Sequence, residues 1–508
     1  MFMDEIKNTL DNEYNISMTE NGALGFETSG KALLDLNFSV ASLRSASEQE
    51  IVDKFMKAFC EDKVLAMRWL FFARDVRQGL GERRLFRVVV SNLIKSNPEI
   101  ILPVINLISE FGRYDDLLCL LDDEKSAKVV IELIDKQLEE DLKNMSENKN
   151  ISLLAKWLPS PSASSKQTKK YAKQIYKSLG LTEREYRKAL SKFRRYLDVV
   201  EVKMSAKDWS NINYETVPSR ANLIYNNAFL RNDEERRRDY LSKLEKGEVK
   251  INASVLYPHD IVYKYTNGNW RICCPKDKAI EALWKALPDT VNGCDNTIVV
   301  SDGSGSMLTR IGNTRVTALD VANALAIYFS EHATGQFKDK YITFSSRPQF
   351  VDFSNCDSLH AKIQTALTHN ECSNTNIEAV FDLILDTAIK NNMSQDDIPK
   401  NILIISDMEF NGACYYRSKP TKRLFETIAQ KYEAAGYKIP RLIFWNVNSR
   451  TGTIPIKEND LGVALVSGFS TNICKMVLSG ELDPYKCLLE TINAERYDVI
   501  EEAIKKAI

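Results

Sequence analysis

Two periods of apolar residues divide the chain. From about residue 46 the spacing is helical. Leu65, Trp69, Phe72 and Val76 recur at i, i+4, i+7 and i+11, one face of a helix, with Arg68, Arg74 and Arg77 off that stripe. Gly79-Leu80-Gly81 ends this helix, and Glu82-Arg83-Arg84 opens another that runs through 88–94. Further helical runs are expected over 98–109, 114–121, 125–142, 219–230 and 233–244. Short connections between them predict an all-helical bundle or a HEAT-like stack. Residues 143–170, with Asn148-Lys-Asn150 and a Pro/Ser run at 159–165, are expected to form an exposed loop.

After about 290 the period changes. Strands are expected at 298–302, 340–344, 349–353, 402–405 and 442–445. Helical faces alternate with them. One is Leu319, Ala322, Ala326 and Phe329. A second lies near 358–368. A third is Ile377, Val380, Phe381, Ile384, Leu385 and Ala388. The last, Leu424, Ile428, Tyr432 and Ala435, is stopped by Gly436, and helices are expected to finish the chain. Strand–helix alternation predicts a doubly wound, mainly parallel α/β sheet. Pro288-Asp289-Thr290 and Asn292-Gly293 mark the change. A chain of 508 residues exceeds one core. The expected division is a mixed segment at 1–45, a helical domain at 46–289 with an exposed basic insertion near 143–198, and an α/β domain at 290–508. The fold class is thus α plus α/β.

The first strand of the second half carries the chemistry. Asp302, Ser304 and Ser306 stand at alternate positions past its carboxyl end, with Gly303 and Gly305 between them. The glycines let the backbone turn tightly, so three oxygen side chains can converge. Carboxylate and hydroxyl oxygens suit a hard divalent cation such as Mg²⁺. Asp-x-Ser-x-Ser after a hydrophobic strand resembles the metal-ion-dependent adhesion site of von Willebrand factor A (vWA) domains. That resemblance implies two further ligands from later loops, Thr375 and Asp407, around the same metal. It also implies an open coordination position that a partner's carboxylate can fill. Asp302 and Asp407 both follow strands, where ligands of such sheets bind. Glu409, two residues past Asp407, reads as tuning local charge.

Charge enters locally. The chain's net charge is −1, so any basic surface is confined to part of it. Between 156 and 195 there are twelve basic residues and only two acids, Glu183 and Glu185. Tyr171, Tyr176, Tyr186 and Tyr196 are interleaved, and aromatics beside cations can stack on unpaired bases. The candidate RNA contacts are Lys166, Lys169, Lys170, Lys173, Arg187, Lys188, Arg194 and Arg195, with Arg74, Arg77, Arg83 and Arg84 as additions. Salt-sensitive binding is expected of such a surface. A second charged run, 233–238, balances itself and reads as an exposed helix with i, i+4 pairs.

A helical domain followed by a vWA domain resembles the Ro autoantigen and its TROVE relatives. It is most similar to an uncharacterised vWA family related to them. The phrases that carry this are Thr19-Glu-Asn-Gly-Ala23, Phe72-Ala-Arg-Asp75 with Gly81-Glu-Arg83, Gly112-Arg-Tyr-Asp-Asp116, Lys156-Trp-Leu-Pro159, Ser406-Asp-Met-Glu-Phe410, Phe444-Trp-Asn446 and Val466-Ser-Gly468. The Ro resemblance implies binding of small non-coding RNA by the helical domain, in a ribonucleoprotein. The alternative is a metal-dependent protein scaffold that takes an acidic residue of its partner. No sequence-specific DNA binding is expected. An enzyme is not expected either. The four histidines, 259, 332, 360 and 369, are scattered, and no P-loop, Gly-x-Ser-x-Gly or His-Glu-x-x-His occurs. His259 reads as structural. Ten cysteines without CxxC pairs, no signal peptide and no membrane-length apolar run suggest a cytoplasmic setting.

Overall fold

The apolar runs after residue 290 form a parallel sheet, and the helical spacings before them form helices, in the computed structural model of this chain. The structure describes residues 15, 17–22, 24–291, 296–370, 375–410, 428–455, 463–470 and 483–506. Ala23, Asn292, Gly293 and Leu424 lie outside the described residues.

The chain forms two units. One combines 1–62 with 256–492, the other 63–255 with 493–508. These differ from the division read at 45 and 290. Helices α1 (Ala32–Phe38) and α2 (Glu48–Glu61) pack on each other in the sheet-containing unit. The helical unit begins at α3 (Lys63–Arg74) and ends with the C-terminal helix Asp498–Lys505, which packs on α3. Arg68 of α3 is buried and pairs with Asp498 and Glu501, both at 2.5 Å. Periodicity finds elements, but such long-range pairs decide which unit holds them.

Within the helical unit follow α4 (Arg83–Ser96), α5 (Glu124–Ser146), α6 (Lys166–Ser178), α7 (Glu183–Tyr196), α8 (Ser219–Asn232) and α9 (Glu234–Glu245). Two expectations change. The 98–121 stretch is broken into short turns, among them Pro98–Ile101 and the 3₁₀ segments Leu102–Leu107 and Tyr114–Asp122. Pro98 and Pro103 each sit at a turn's start, where a missing N–H costs least. The 143–170 stretch is not an exposed loop throughout. α5 runs to Ser146, and Leu154, Ala155 and Leu158 are buried.

α3 is buried all round from Ala66 to Arg74, a wider face than its stripe suggested. Arg74, assigned to a basic surface from sequence, is 2% exposed. Its guanidinium meets Asp116 at 2.6 Å, and Arg87 meets the other oxygen at 2.7 Å. Gly112 lies against this node: a Cβ there would stand 2.5 Å from Asp116 Oδ2 and 2.9 Å from Arg74 Nε. Next to Arg74, buried Asp75 accepts from Arg496 at 2.6 Å and from the Tyr497 hydroxyl at 3.2 Å. The phrases around Arg74 and Asp116 are therefore the two halves of a buried ion pair. Asp116→Ala leaves Arg74 buried without its carboxylate. We expect a loss of about 3–5 kcal/mol, read as a lower urea midpoint for the helical unit; an unchanged midpoint would contradict the node.

In the other unit, α10 (Pro258–Thr266) leads to β1 (Thr297–Asp302), α11 (Ala318–His332), β2 (Lys340–Phe344), β3 (Phe350–Asp352), α12 (Leu359–Thr368), α13 (Ile377–Lys390), β4 (Asn401–Ser406), β5 (Arg441–Asn446) and β6 (Val463–Ser467). The sheet order is β3-β2-β1-β4-β5-β6. In this sheet, among the described residues, only the edge strand β3 is antiparallel. β1 is buried at every residue, which is why its sequence is a continuous apolar run and not an alternation. α11 is buried from Ala318 to Ser330 and packs on β1. β6 was not anticipated. The chain leaves β1 towards β2 and later returns beside β1 as β4, so strand order reverses between β1 and β4. That reversal opens a crevice at their carboxyl ends. Among the described residues no helix is long and apolar enough to cross a membrane.

Candidate metal centre and basic face

Asp302 is the last residue of β1 and Asp407 follows the last residue of β4, so the strand-order reversal puts them side by side. Both are buried, at 1% and 0% exposure. Asp302 Oδ2 accepts from the Ser406 hydroxyl at 2.5 Å, and Oδ1 accepts from the Ser304 N–H at 2.9 Å. The Ser304 and Ser306 hydroxyls are 2.9 Å apart, and the Ser306 hydroxyl lies near enough to Asp407 to hold its pKa down. One chain of contacts thus joins Asp302, Ser304, Ser306 and Asp407. Gly303 permits the turn: a Cβ there would lie 2.9 Å from Asn370 Oδ1 and 3.0 Å from its Cα. Thr375 is half-buried, two residues before α13, whose N-cap Asn376 accepts from Ala379 N–H. Residues 371–374, which join it to Asn370, lie outside the described residues.

Burial and the neighbouring Asp407 charge push the Asp302 carboxyl up to about 7. Burial raises Asp407 as well, against the pull of Arg450 and the Ser306 hydrogen bond. Two buried carboxyls of raised proton affinity, Asp302 raised in part by the Asp407 charge, are what a divalent cation relieves. The donor set of two carboxylates and neighbouring hydroxyls fits a hard cation such as Mg²⁺. Among the described residues no group of three or more His, Cys, Asp or Glu is placed to hold a metal. This set contains only two such side chains, the other oxygens being hydroxyls.

Arg450 escaped the sequence reading. It lies just past β5, the next parallel strand after β4, and its position at a strand's carboxyl end was the available signal. Its guanidinium reaches Asp407 at 3.0 Å and Glu20 at 2.7 Å. Burial alone would lower its pKa; the Glu20 hydrogen bond and the Asp407 charge outweigh that and raise it. Glu20 is correspondingly lowered, chiefly by its Arg450 hydrogen bond. Glu409, read from sequence as tuning local charge, also braces the loop. Its carboxylate accepts from the N–H groups of Glu20, Arg450 and Thr451 at 2.7–2.9 Å, clamping the 449–453 turn to the N-terminal segment.

The basic candidates separate into three groups. Lys166, Lys169, Lys170 and Lys173 are exposed on α6, where Lys170 pairs with Asp122 at 2.6 Å. Arg187, Lys188 and Arg195 are exposed on α7. Arg194 is not part of that surface. It turns inward and donates to the carbonyls of Ala155 at 2.9 Å and Leu158 at 2.8 Å. Burial lowers its pKa. The tyrosines divide likewise. Tyr186 is core, with its hydroxyl on the Pro159 carbonyl, and Tyr171 is tied to Asp122. Tyr196 remains exposed. Arg83 and Arg84 are exposed, and Arg77 donates to the Glu110 carbonyl. In the run 233–238, Arg238 pairs with Glu234 and Arg236 with Asp233, as expected of a self-compensated face. Arg237 is buried, with Asn222 and Asn226 accepting from it.

Of the histidines, His259 is buried and stacked on Tyr257. Ring nitrogens of His332, His360 and His369 lie at 2.7, 3.3 and 2.8 Å from the carbonyls of Tyr328, Cys274 and Thr365.

Two families match in tandem. Residues 127–294 match the domain of unknown function DUF2828, and residues 296–506 match the domain of unknown function DUF7788. Their junction coincides with the change of hydrophobic period. Uncharacterized protein L728 of Acanthamoeba polyphaga mimivirus is 30% identical over 535 aligned positions, which span 96% of this chain and 90% of that protein. With likeness along nearly its whole length, this chain belongs to the family of the mimivirus protein L728, with a DUF2828 region followed by a DUF7788 region.

Proposed function

We propose that this protein is an RNA-binding ribonucleoprotein component, with a TROVE-like helical unit that holds small non-coding RNA and a vWA-like unit that holds Mg²⁺ and contacts a partner. The observation that carries the vWA reading is the meeting of Asp302, Ser304, Ser306 and Asp407 at the strand-order reversal. Thr375 would complete the ligand set when the metal is bound. The metal would supply a charge that an acidic side chain of a partner can meet. The RNA reading is supported by the exposed cations of α6 and α7. No catalytic residue is assigned, and the setting is the cytoplasm.

A second reading, a Mg²⁺-dependent protein scaffold without RNA, is favoured by the same oxygen cluster. Purification from native cells, with and without nuclease, separates them. The expected result is a discrete small RNA in the untreated sample, recovered with or without chelator. If only a protein co-purifies, and chelator releases it, the scaffold reading replaces the RNA one.

A further inference from the structure

α5 and α7 enclose an open groove of about 1120 Å³ in the helical unit. One wall is the outer face of α7. Arg184, Arg187, Lys188, Lys192 and Arg195 fall at i, i+3, i+4, i+8 and i+11, opposite the buried Tyr186, Leu190 and Phe193. Among the described residues none of these five cations is in an ion pair, although Lys188 lies near the Glu185 charge. Elsewhere on this unit Lys170, Lys203, Arg236, Arg238 and Lys243 are paired with carboxylates. Glu183 is the one acid lining the groove.

The other wall is uncharged, two apolar side chains and Ser146. Leu142 is 46% exposed and lies with Met145 on α5. At the groove's end stands Tyr196, 37% exposed, its hydroxyl anchored on the Lys149 carbonyl at 2.8 Å. A row of cations facing an uncharged wall with a fixed aromatic ring is the chemistry of an unpaired strand: phosphates on one side, base faces on the other. A duplex would present phosphates to both walls, and an acidic peptide would leave the ring and Leu142 unused. The cation row spans about 16 Å, or about five nucleotides at the per-strand rise of 3.4 Å.

We propose that this groove is a seat for single-stranded RNA, with backbone phosphates along α7 and a base stacked on Tyr196. This rests on the RNA reading above and gives it a location and a strand form. It excludes Arg194, which is structural, and the α6 lysines, which do not line the groove.

The test is fluorescence anisotropy on the full chain, using a labelled oligouridylate of about a dozen nucleotides, its duplex with oligoadenylate, and unlabelled polyglutamate as competitor. Five phosphate contacts predict a log–log salt slope of about −3.5 for the single strand. Arg187→Gln with Lys192→Gln should reduce that slope to about −2. Tyr196→Ala should weaken binding about tenfold with the slope unchanged, whereas Tyr196→Phe, which keeps the ring, and Lys169→Gln with Lys173→Gln should bind like the parent. Parent-like binding by the Arg187/Lys192 variant would overturn the seat while the RNA reading stands. Equal or tighter binding of the duplex would overturn the strand form. Displacement of oligouridylate by polyglutamate as readily as by unlabelled RNA would make the groove an acidic-peptide site. A parent that binds neither RNA would end both readings.

Discussion

Asp302→Asn should abolish Mg²⁺ binding and yet stabilise the metal-free fold above neutral pH. The two effects share a cause. In the metal-free protein Asp302 is buried beside Asp407, and its carboxyl is raised from 3.8 to about 7. A carboxyl whose folded pKa is raised binds more protons folded than unfolded. Stability is therefore full at low pH and falls as pH rises from about 4 through about 7. Above that range the charged Asp302 costs the fold roughly 4 kcal/mol. Asn keeps a donor for the Ser406 oxygen and an acceptor for the Ser304 N–H, but carries no charge. Thermal melts of the metal-free parent should decline between pH 4 and 7, and those of the variant should decline less, because only Asp407 of the pair remains to ionise. Added Mg²⁺ should raise the parent's melting temperature at pH 8, by occupying the folded state alone, and leave the variant's unchanged. Calorimetry that finds parent-like Mg²⁺ affinity in Asp302→Asn would refute the centre.

Much of this oxygen cluster is legible in the sequence. Asp302, Ser304 and Ser306 lie on one turn, so spacing alone brings them together. Asp407 was legible because a carboxylate after a buried strand marks the rim of a parallel sheet, and β1 and β4 are neighbours. Arg450 and Glu20 were not. Glu20 precedes Arg450 by hundreds of residues, and no local period encodes their contact. The sixth strand was missed because Val463-Ala-Leu-Val-Ser467 holds an apolar run of only four residues, a length at which strand and helix patterns coincide. In the helical unit, periodicity located α3 but mistook Arg74 for surface. A buried arginine is betrayed only by its carboxylate, and Asp116 lies forty-two residues away. Arg194 misled for the same reason. It sits within a basic run, yet its partners are backbone carbonyls, which sequence does not advertise.

Arg450→Gln should tighten Mg²⁺ binding, and Glu20→Gln should loosen it. The guanidinium stands 3.0 Å from Asp407 and serves the centre as a built-in counter-charge. An arriving divalent cation meets that positive charge a few ångströms away, with a repulsion of order a few kcal/mol at an effective dielectric constant near 20. Removing it should raise affinity about tenfold or more. Glu20 acts oppositely, because it draws Arg450 off Asp407 and adds negative charge nearby. It is largely exposed, so solvent screens it, and its loss should cost about twofold to fivefold. The turn that carries Arg450 survives both changes, since Glu409 holds the backbone N–H groups of Arg450 and Thr451 independently of either side chain. Calorimetric titration of the two variants at pH 8 reads the pair directly. Affinities that move together, both down, would mean that Arg450 and Glu20 only brace the loop; a shift in opposite directions means that they set the charge a cation must displace.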